Sequence, residues 1–580
     1  MLDKYLTSEN EYIENELIYL YEKIQSYSKL FPDIASKLKF SLNGSDDPHI
    51  QLMLESFAIL TAKLQRQIDQ STFPITANIL DNLHHSGNKP IPAQNIVKFE
   101  LDETQLGTIE NGFTIPKNTI IYKKIDNEFC KYMTETDLTL LPLDIKSVQV
   151  EKDVNSSQRM NFIIEIHSIK NKIKALNTNK LKLYINAPKY TRAHFIDLLF
   201  DKNTEIFLKD KKNQSVYKLS NKDIKLCHFN EYNTSTEYYS DLHDSTKLIR
   251  DYFSFKEKFY YLEITCEDFI KLNSHFEIVL NFVKNQDKDI NFKKNYICFN
   301  TVPVINLYKK TSEPIKLDNK KTQYKIFSNY ILKDFEKIFC INEVFYANNE
   351  CEKILPITDY FPQENISSTF YELKRSNEDN SEILFNFYSE NNINKEKLPI
   401  FCNVFVTNGK YGELIYERDS FETDYECPVK KIEALKSSSK FTEINATGQQ
   451  QWGLLNSYST NSLPLFEQKL FIKKLKSILQ LNGLYFPENY QDINLFFSNI
   501  KDVIIMKKFQ KKSNRIIDGF VDTFEFNFIL SRENSKFESY NIIGEFLLNI
   551  IKSYLPINHE AIVKIKKENE TDHHFRKTTL

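Results

Sequence analysis

Glycine is scarce in this chain, with 11 in 580 residues and none between Gly112 and Gly409. Phosphate loops and dinucleotide fingerprints need glycine where the backbone passes close to phosphate, so the middle half of the chain is excluded as such a site. Asn and Asp must supply its turns. The 8 cysteines are scattered without a C-x-x-C pair, and they read as reduced, mostly buried small hydrophobes of a cytosolic protein. An excess of one charge is also lacking. The 76 basic and 78 acidic side chains argue against a protein that coats a polyanion and for protein or small-molecule partners. No apolar run approaches the length of about 18 residues that a membrane span needs, and the N-terminus has no basic region followed by an apolar stretch. A soluble chain without a cleaved signal is expected. H-E-x-x-H and G-x-S-x-G are both absent, which argues against a zincin and against a serine hydrolase of the α/β class.

What is present begins with two helices. Asp47-Pro48-His49 opens the second, because Asp47 can accept from the first free amides and Pro48 sits where its missing N–H costs nothing. Ile50, Leu54, Phe57, Thr61, Leu64 and Ile68 then alternate spacings of four and three, an a/d seam. Ile13, Leu17, Leu20, Ile24, Tyr27 and Phe31 repeat that spacing upstream, and Pro32 closes the run. A third short helix is expected near Ile75–Leu83. The length allows about three to five domains. Pro90 and Pro92 end a helical region over 1–92. Period-two strands follow in an α+β domain over 93–290, with a helix at Thr191–Phe200. A β-rich domain over 291–430 ends near the strand Phe401–Thr407. Residues 431–451, with three serines and three glutamines in a row, read as a linker or long loop. A C-terminal α+β domain, 452–580, carries helices near Phe466–Leu481 and at Ile542–Tyr554, strands at Asp502–Met506 and Phe524–Leu530, and a charged tail from Lys564 that is expected to fray.

No candidate for chemistry stands up well. His49 has Glu55 downstream at the wrong spacing for a shared metal, and reads as a capping or packing residue. His84-His85 read as exposed turn residues before Ser86-Gly87-Asn88. Cys227-His228 would point to opposite faces of a strand. The run Lys507-Lys508-Phe509-Gln510-Lys511-Lys512-Ser513-Asn514-Arg515 resembles a phosphate-binding patch in composition, but reads as a solvated loop. Trp452, the only tryptophan, is either an interface anchor or a packing residue. The two seams rarely satisfy each other without a third layer, which leaves room for a partner helix.

The residues also resemble a family. Tyr12, Glu16-Leu17, Tyr19-Leu20 and Phe31-Pro32-Asp33-Ile34-Ala35, followed by Asp47-Pro48-His49-Ile50 and Leu54-Glu55-Ser56-Phe57-Ala58-Ile59-Leu60-Thr61-Ala62, are similar to the N-terminal signature of the TssF family (also VasA or ImpG), baseplate wedge subunits of the type VI secretion system. Pro90-Ile91-Pro92, Leu181–Ile185, the aromatic block Asp251–Phe259, Val302–Tyr308 with Glu313-Pro314-Ile315, Thr407-Asn408-Gly409 and Trp452-Gly453-Leu454-Leu455 agree in order along the chain. Gln51-Leu52 stands where the family usually has Glu-Arg, Ser56 replaces a common glycine, and the His84–Asn88 loop differs, so a charged contact made by that Glu-Arg pair is not expected here.

The resemblance implies a structural protein without catalytic site, cofactor or metal. Two copies join one TssG-like subunit in a wedge, wedges close around the spike, and TssK-like and TssE-like proteins and the sheath are neighbours. Nucleic acid is not a partner, and the membrane is met only through a docking complex that holds the cytoplasmic baseplate at the inner membrane. A wedge protein of a related contractile injection or phage-tail-like particle is the alternative, and an effector enzyme is the more distant one. The residues expected to bind a partner are Ile13, Leu17, Leu20, Ile24, Ile50, Leu54, Phe57, Leu64, Ile68 and Trp452. β-rich modules and the C-terminal apolar helix are expected to add wedge-to-wedge surfaces.

Overall fold

The computed structural model describes the chain from Leu2 to Lys567 except for connecting segments, those of five residues or more being 106–111, 170–178, 230–241, 284–291, 317–322, 330–334, 348–352, 357–368, 376–382, 390–398 and 531–537. It is an α+β fold of two compact units, 1–85 with 445–456, and 86–444 with 457–580.

The first unit is built on a helical hairpin. Helix α1 (Leu2–Leu30) is followed by the short α2 (Pro32–Lys37), a two-residue strand pair, and α3 (Pro48–Leu83). Asp47 starts α3 as expected: its Oδ1 accepts from the His49 N–H at 3.0 Å and its carbonyl from Gln51 N–H at 2.9 Å. The structure differs beyond Asp69. Residues 48–83 form one helix that passes through Pro74, where a break was expected. A proline inside a helix costs about 3 kcal/mol, and the remaining ladder of a helix this long outweighs it.

In the second unit, six antiparallel strands form a sheet in the order Ser420–Phe421, Val429–Ala434, Gln94–Leu101, Thr301–Ile305, Glu128–Thr134, Ile120–Ile125. Tyr122 and Glu422 exchange both backbone hydrogen bonds at 2.9 Å, so the sheet closes into a barrel and leaves no edge there. Val97, Phe99, Ile121, Tyr132, Val304, Phe421 and Ile432 fill it. The first part of the segment read from sequence as a linker is tied to the barrel: 429–434 is a barrel strand, and Leu435, Ser439 and Thr442 donate backbone bonds to Ile96, Gln94 and Ile91. Polar composition misled because one face of that strand is solvated.

A five-stranded and a four-stranded antiparallel sheet face each other across Ile164, Leu280, Leu183 and Leu262, with α4 (Lys189–Leu199) contributing Phe195 and Leu199 to the same core. A seven-stranded mixed sheet runs from Tyr308–Thr311 to Gln323–Lys325. At the C-terminus, Ile500–Asn514, Ile517–Leu530 and His559–Lys567 form a three-stranded sheet. α5 (Asp244–Ser254), α7 (Gln468–Gly483), α8 (Pro487–Ser498) and α9 (Tyr540–Ser553) belong to the core shared with the facing sheets; α6 (Gly448–Tyr458) precedes α7.

Three expectations are corrected at the C-terminal end. Lys507–Asn514, read as a solvated loop, continues the strand from Ile500. Lys564–Lys567, read as a fraying tail, pairs in parallel with Asn527–Leu530. The α9 face that was expected to offer a surface is core: Ile542, Ile543, Phe546, Leu547, Ile550 and Ile551 are all fully buried.

Candidate functional site

The residues predicted to meet a partner lie on the α1–α3 hairpin. On α1, Ile13, Leu17 and Leu20 are half-buried and Ile24 is buried. On α3, Ile50 and Leu54 are half-buried, whereas Phe57 is 56% and Leu64 58% exposed. The side chain of Ile68 lies outside the described residues. What α3 buries is the row of Ala58 and Ala62, one position on from the bulky seam. Two alanines let a neighbouring helix come close, and a pattern that counts only large side chains overlooks them. Gln51 ties the hairpin, donating to Tyr21 Oη at 3.1 Å and to Glu55 at 2.8 Å, while its Oε1 accepts from Ser45 N–H.

The seam displaced from the contact becomes a surface. Met53, Phe57, Leu60 and Leu64 follow each other at spacings of four, three and four, and all four are more than half exposed. That is a heptad stripe on the outside of a helix. Leu52 and Ile59 widen it, and at the end of α1 Leu30, Phe31, Ile34 and Tyr27 are exposed too, with the Tyr27 and Phe31 rings 5.0 Å apart. Trp452, on α6 in the same unit, is half exposed. Large apolar side chains exposed in a row on one helix are the kind of surface that a partner can cover.

The second unit inverts the pattern, with charge inside. The block Asp251–Phe259 alternates rings and charges across the end of α5 and one turn of 3-10 helix. Lys258 is wholly buried between Glu135 at 2.5 Å and Asp251 at 2.7 Å. Burial works against its ammonium, but the two carboxylates outweigh that and hold its pKa above the ordinary lysine value; burial pushes Glu135 up. Lys256 bridges Asp492 and Glu538 at 2.6 Å each. Arg192 meets Glu257 at 2.6 Å with its guanidinium 3.4 Å from the Tyr260 ring centroid, and Tyr184 Oη donates to Glu257. Sequence reasoning missed this centre; the signal was charge interleaved with aromatics in 251–259, where solvated lysines would not normally sit.

Two of the family-like motifs meet in a second buried junction. Asn306 donates to the Lys131 carbonyl at 2.7 Å and to Asn408 Oδ1 at 2.9 Å, and its Oδ1 accepts from Thr407 Oγ1 and the Asn408 N–H, both at 2.8 Å. Val302–Tyr308 and Thr407–Gly409 are thus spent on joining the barrel to the seven-stranded sheet. Gly409, at φ 55°, occupies the left-handed region that favours glycine.

The remaining candidates disperse. His49 is exposed, and His84 and His85 lie outside the described residues. Cys227 and His228 are both buried. Burial pushes the Cys130 and Cys402 thiols up to about 12, far from a thiolate nucleophile. Lys507 and Lys508 are paired with Asp522 at 2.6 Å and Glu525 at 2.7 Å. Among the described residues no three His, Cys, Asp or Glu side chains are placed to hold a metal, and no helix is long and apolar enough to cross a membrane.

Known proteins match over nearly the whole chain. The family model for the type VI secretion system, TssF, matches residues 7–576. Type VI secretion system component TssF1 of Pseudomonas aeruginosa is 20% identical over 521 residues, covering 82% of this chain and 83% of that protein. A chain of the type VI secretion system TssK-TssF-TssG baseplate subcomplex, solved by cryo-electron microscopy, superposes with a TM-score of 0.69 at 15% identity, covering 89% of this chain and 96% of that one. A chain of the baseplate complex from the type VI secretion system gives 0.53 at 14% identity, covering 96% of both. By the match of its family model from residue 7 to residue 576, the chain belongs to the TssF family of the type VI secretion system.

Proposed function

We propose that this chain is a structural subunit of a type VI secretion baseplate and that its N-terminal hairpin is where a partner subunit holds it. The observation that carries the reading is the heptad stripe Met53, Phe57, Leu60 and Leu64, exposed on a helix whose other face is already used within the unit. Such a stripe fits a partner helix with matching spacing. The similar TssF chain assembles with TssG and TssK, and we infer TssG-like and TssK-like partners here. A second copy of this chain, a TssE-like protein, the spike and the sheath complete the expected neighbourhood, with the baseplate on the cytoplasmic side and meeting the inner membrane only through a docking complex. The reading assigns the chain no reaction.

The partner-facing set is then Phe57 and Leu64 of the predicted residues, joined by Met53, Leu60 and Trp452. Ile13, Leu17, Leu20, Ile24, Ile50 and Leu54 support it from within the hairpin; the Ile68 side chain lies outside the described residues. Replacing Phe57 and Leu60 together by Asp should abolish recovery of the TssG-like partner while the chain's melting temperature stays within a few degrees. Undiminished co-purification at native expression level would overturn the assignment.

A further inference from the structure

The docking reading leaves the outside of the barrel unused. In the hairpin Ile120–Ile125 with Glu128–Thr134, Ile121, Cys130 and Tyr132 are fully buried inside. Strand alternation therefore turns Ile120, Tyr122 and Phe129 outward, where Phe129 is 47% and Ile120 39% exposed. The Tyr122 and Phe129 rings meet edge to face at 5.3 Å. Residues 422–426 run beside this face where the barrel closes. Tyr122 and Glu422 exchange backbone bonds, and Thr423 Oγ1 donates to the Ile120 carbonyl at 2.8 Å. Tyr425, also 39% exposed, sets its ring 6.5 Å from that of Phe113. Backbone pairing thus fixes an aromatic ridge on the barrel surface.

The charge beside the ridge is mostly of one sign. Glu422, Asp424 and Glu426 are all exposed, and among the described residues none of the three is in an ion pair. Asp424 accepts from Tyr122 Oη at 2.8 Å; that bond above all, with the charges of Asp424 and Glu422, holds the phenol above its ordinary pKa. Of the nearby lysines, Lys123 is paired with Asp419 at 2.6 Å, and the Lys131 ammonium lies over the Tyr308 ring. Lys124, opposite Phe129, is exposed and leaves the carboxylates in excess.

The interior of the molecule shows what such a surface fits. Arg192 lays its guanidinium 3.4 Å from the Tyr260 ring centroid while it pairs with Glu257 at 2.6 Å. A planar guanidinium can stack on an aromatic face and meet a carboxylate at the same time. Tyr122 with Asp424, and Tyr425 between Asp424 and Glu426, put rings and carboxylates next to each other again, here open to solvent.

We propose that this face docks an arginine-bearing basic segment of another baseplate protein, its guanidinium groups stacking on Tyr122 and Tyr425 and pairing with Glu422 and Glu426, and its aliphatic parts covering Phe129 and Ile120. The same carboxylates repel nucleic acid and an anionic membrane surface. The inference rests on the baseplate reading.

The test uses the full chain in its complex. The wild-type assembly with TssG-like and TssK-like partners is recovered first, and failure at that step counts against the baseplate reading. With the assembly in hand, a photo-crosslinking amino acid at position 129 should reach an arginine-containing segment of another protein. Glu422→Lys with Glu426→Lys should lower the cross-link yield by about tenfold, and reversal of the cross-linked arginines to glutamate should restore it. Neither glutamate side chain makes a hydrogen bond or ion pair among the described residues, so the melting temperature should not move. Glu422→Gln with Glu426→Gln serves the same comparison if the reversal disturbs folding. Cross-links confined to this chain or to a second copy of it, or an unchanged yield in both variants, would each overturn the proposal.

Discussion

Helices α3 and α9 are both rich in large apolar residues, and they use them in opposite ways. On α9 every member of the apolar face is buried, and the Phe546 ring stacks 4.2 Å from that of Tyr252. On α3 the buried row is made of alanines, while Met53, Phe57, Leu60 and Leu64 point outward. Hydrophobic patterning shows that a helix has something to bury. Whether its own chain supplies the other half depends on what lies beside it. For α9 that is the strand His559–Lys567 together with α4 and α5. The N-terminal unit, built on one hairpin, has too few elements to cover both faces of a 36-residue helix.

The contrast breaks most severely at its most buried ring. Phe546→Ala should cost about 3–5 kcal/mol of stability, whereas Phe57→Ala should stay within about 0.5 kcal/mol and show its effect only in partner recovery. Urea titration of both variants checks this, and similar losses would show that the α3 stripe is covered in the free chain.

Acid should separate the regions next. Burial holds the His228 imidazole well below its ordinary 6.5, with Lys258 and Lys182 adding to the effect. The unfolded chain takes up a proton near that value while the folded one does not, so stability present above about pH 6.5 is lost as the pH falls, by up to about 1.4 kcal/mol per unit. His228→Asn, which tolerates the φ of 68° at this position, should flatten the decline by one proton. Urea midpoints at pH 7 and pH 5 read the difference. Equal slopes for the variant and the parent would show that the imidazole titrates normally in the fold.

A local effect belongs to the cap that starts α3. Asp47→Ala removes the acceptor of the His49 N–H and should cost about 1 kcal/mol, confined to the N-terminal unit. Hydrogen exchange of the first turn of α3 is the measurement, and protection there equal to that of the parent chain would mean the cap contributes little.

Much of the β architecture was legible because strands such as Ile96–Leu101, Phe162–Ile166 and Leu181–Ile185 carry their own period and β-branched composition. The barrel was not legible, since its strands come from 94–134, 301–305 and 420–434, and no local pattern records which distant strands pair. The candidate surface was half legible. The heptad spacing placed the large apolar residues on α3, but the spacing is silent about which side a short residue such as Ala58 allows a neighbour to approach.

By itself, then, the sequence determined the local events: where Asp47 and Pro48 start a helix, which residues share its faces, which segments alternate as strands, and which family the ordered motifs resemble. Tertiary structure decided the side of α3 that is spent on α1, the burial of α9, and the enclosure of Lys258 by Glu135 and Asp251. The physical reason is that propensity, capping and periodicity act over a few residues. Burial and ion pairing depend instead on elements brought together from far along the chain, as Glu135 and Lys258 are.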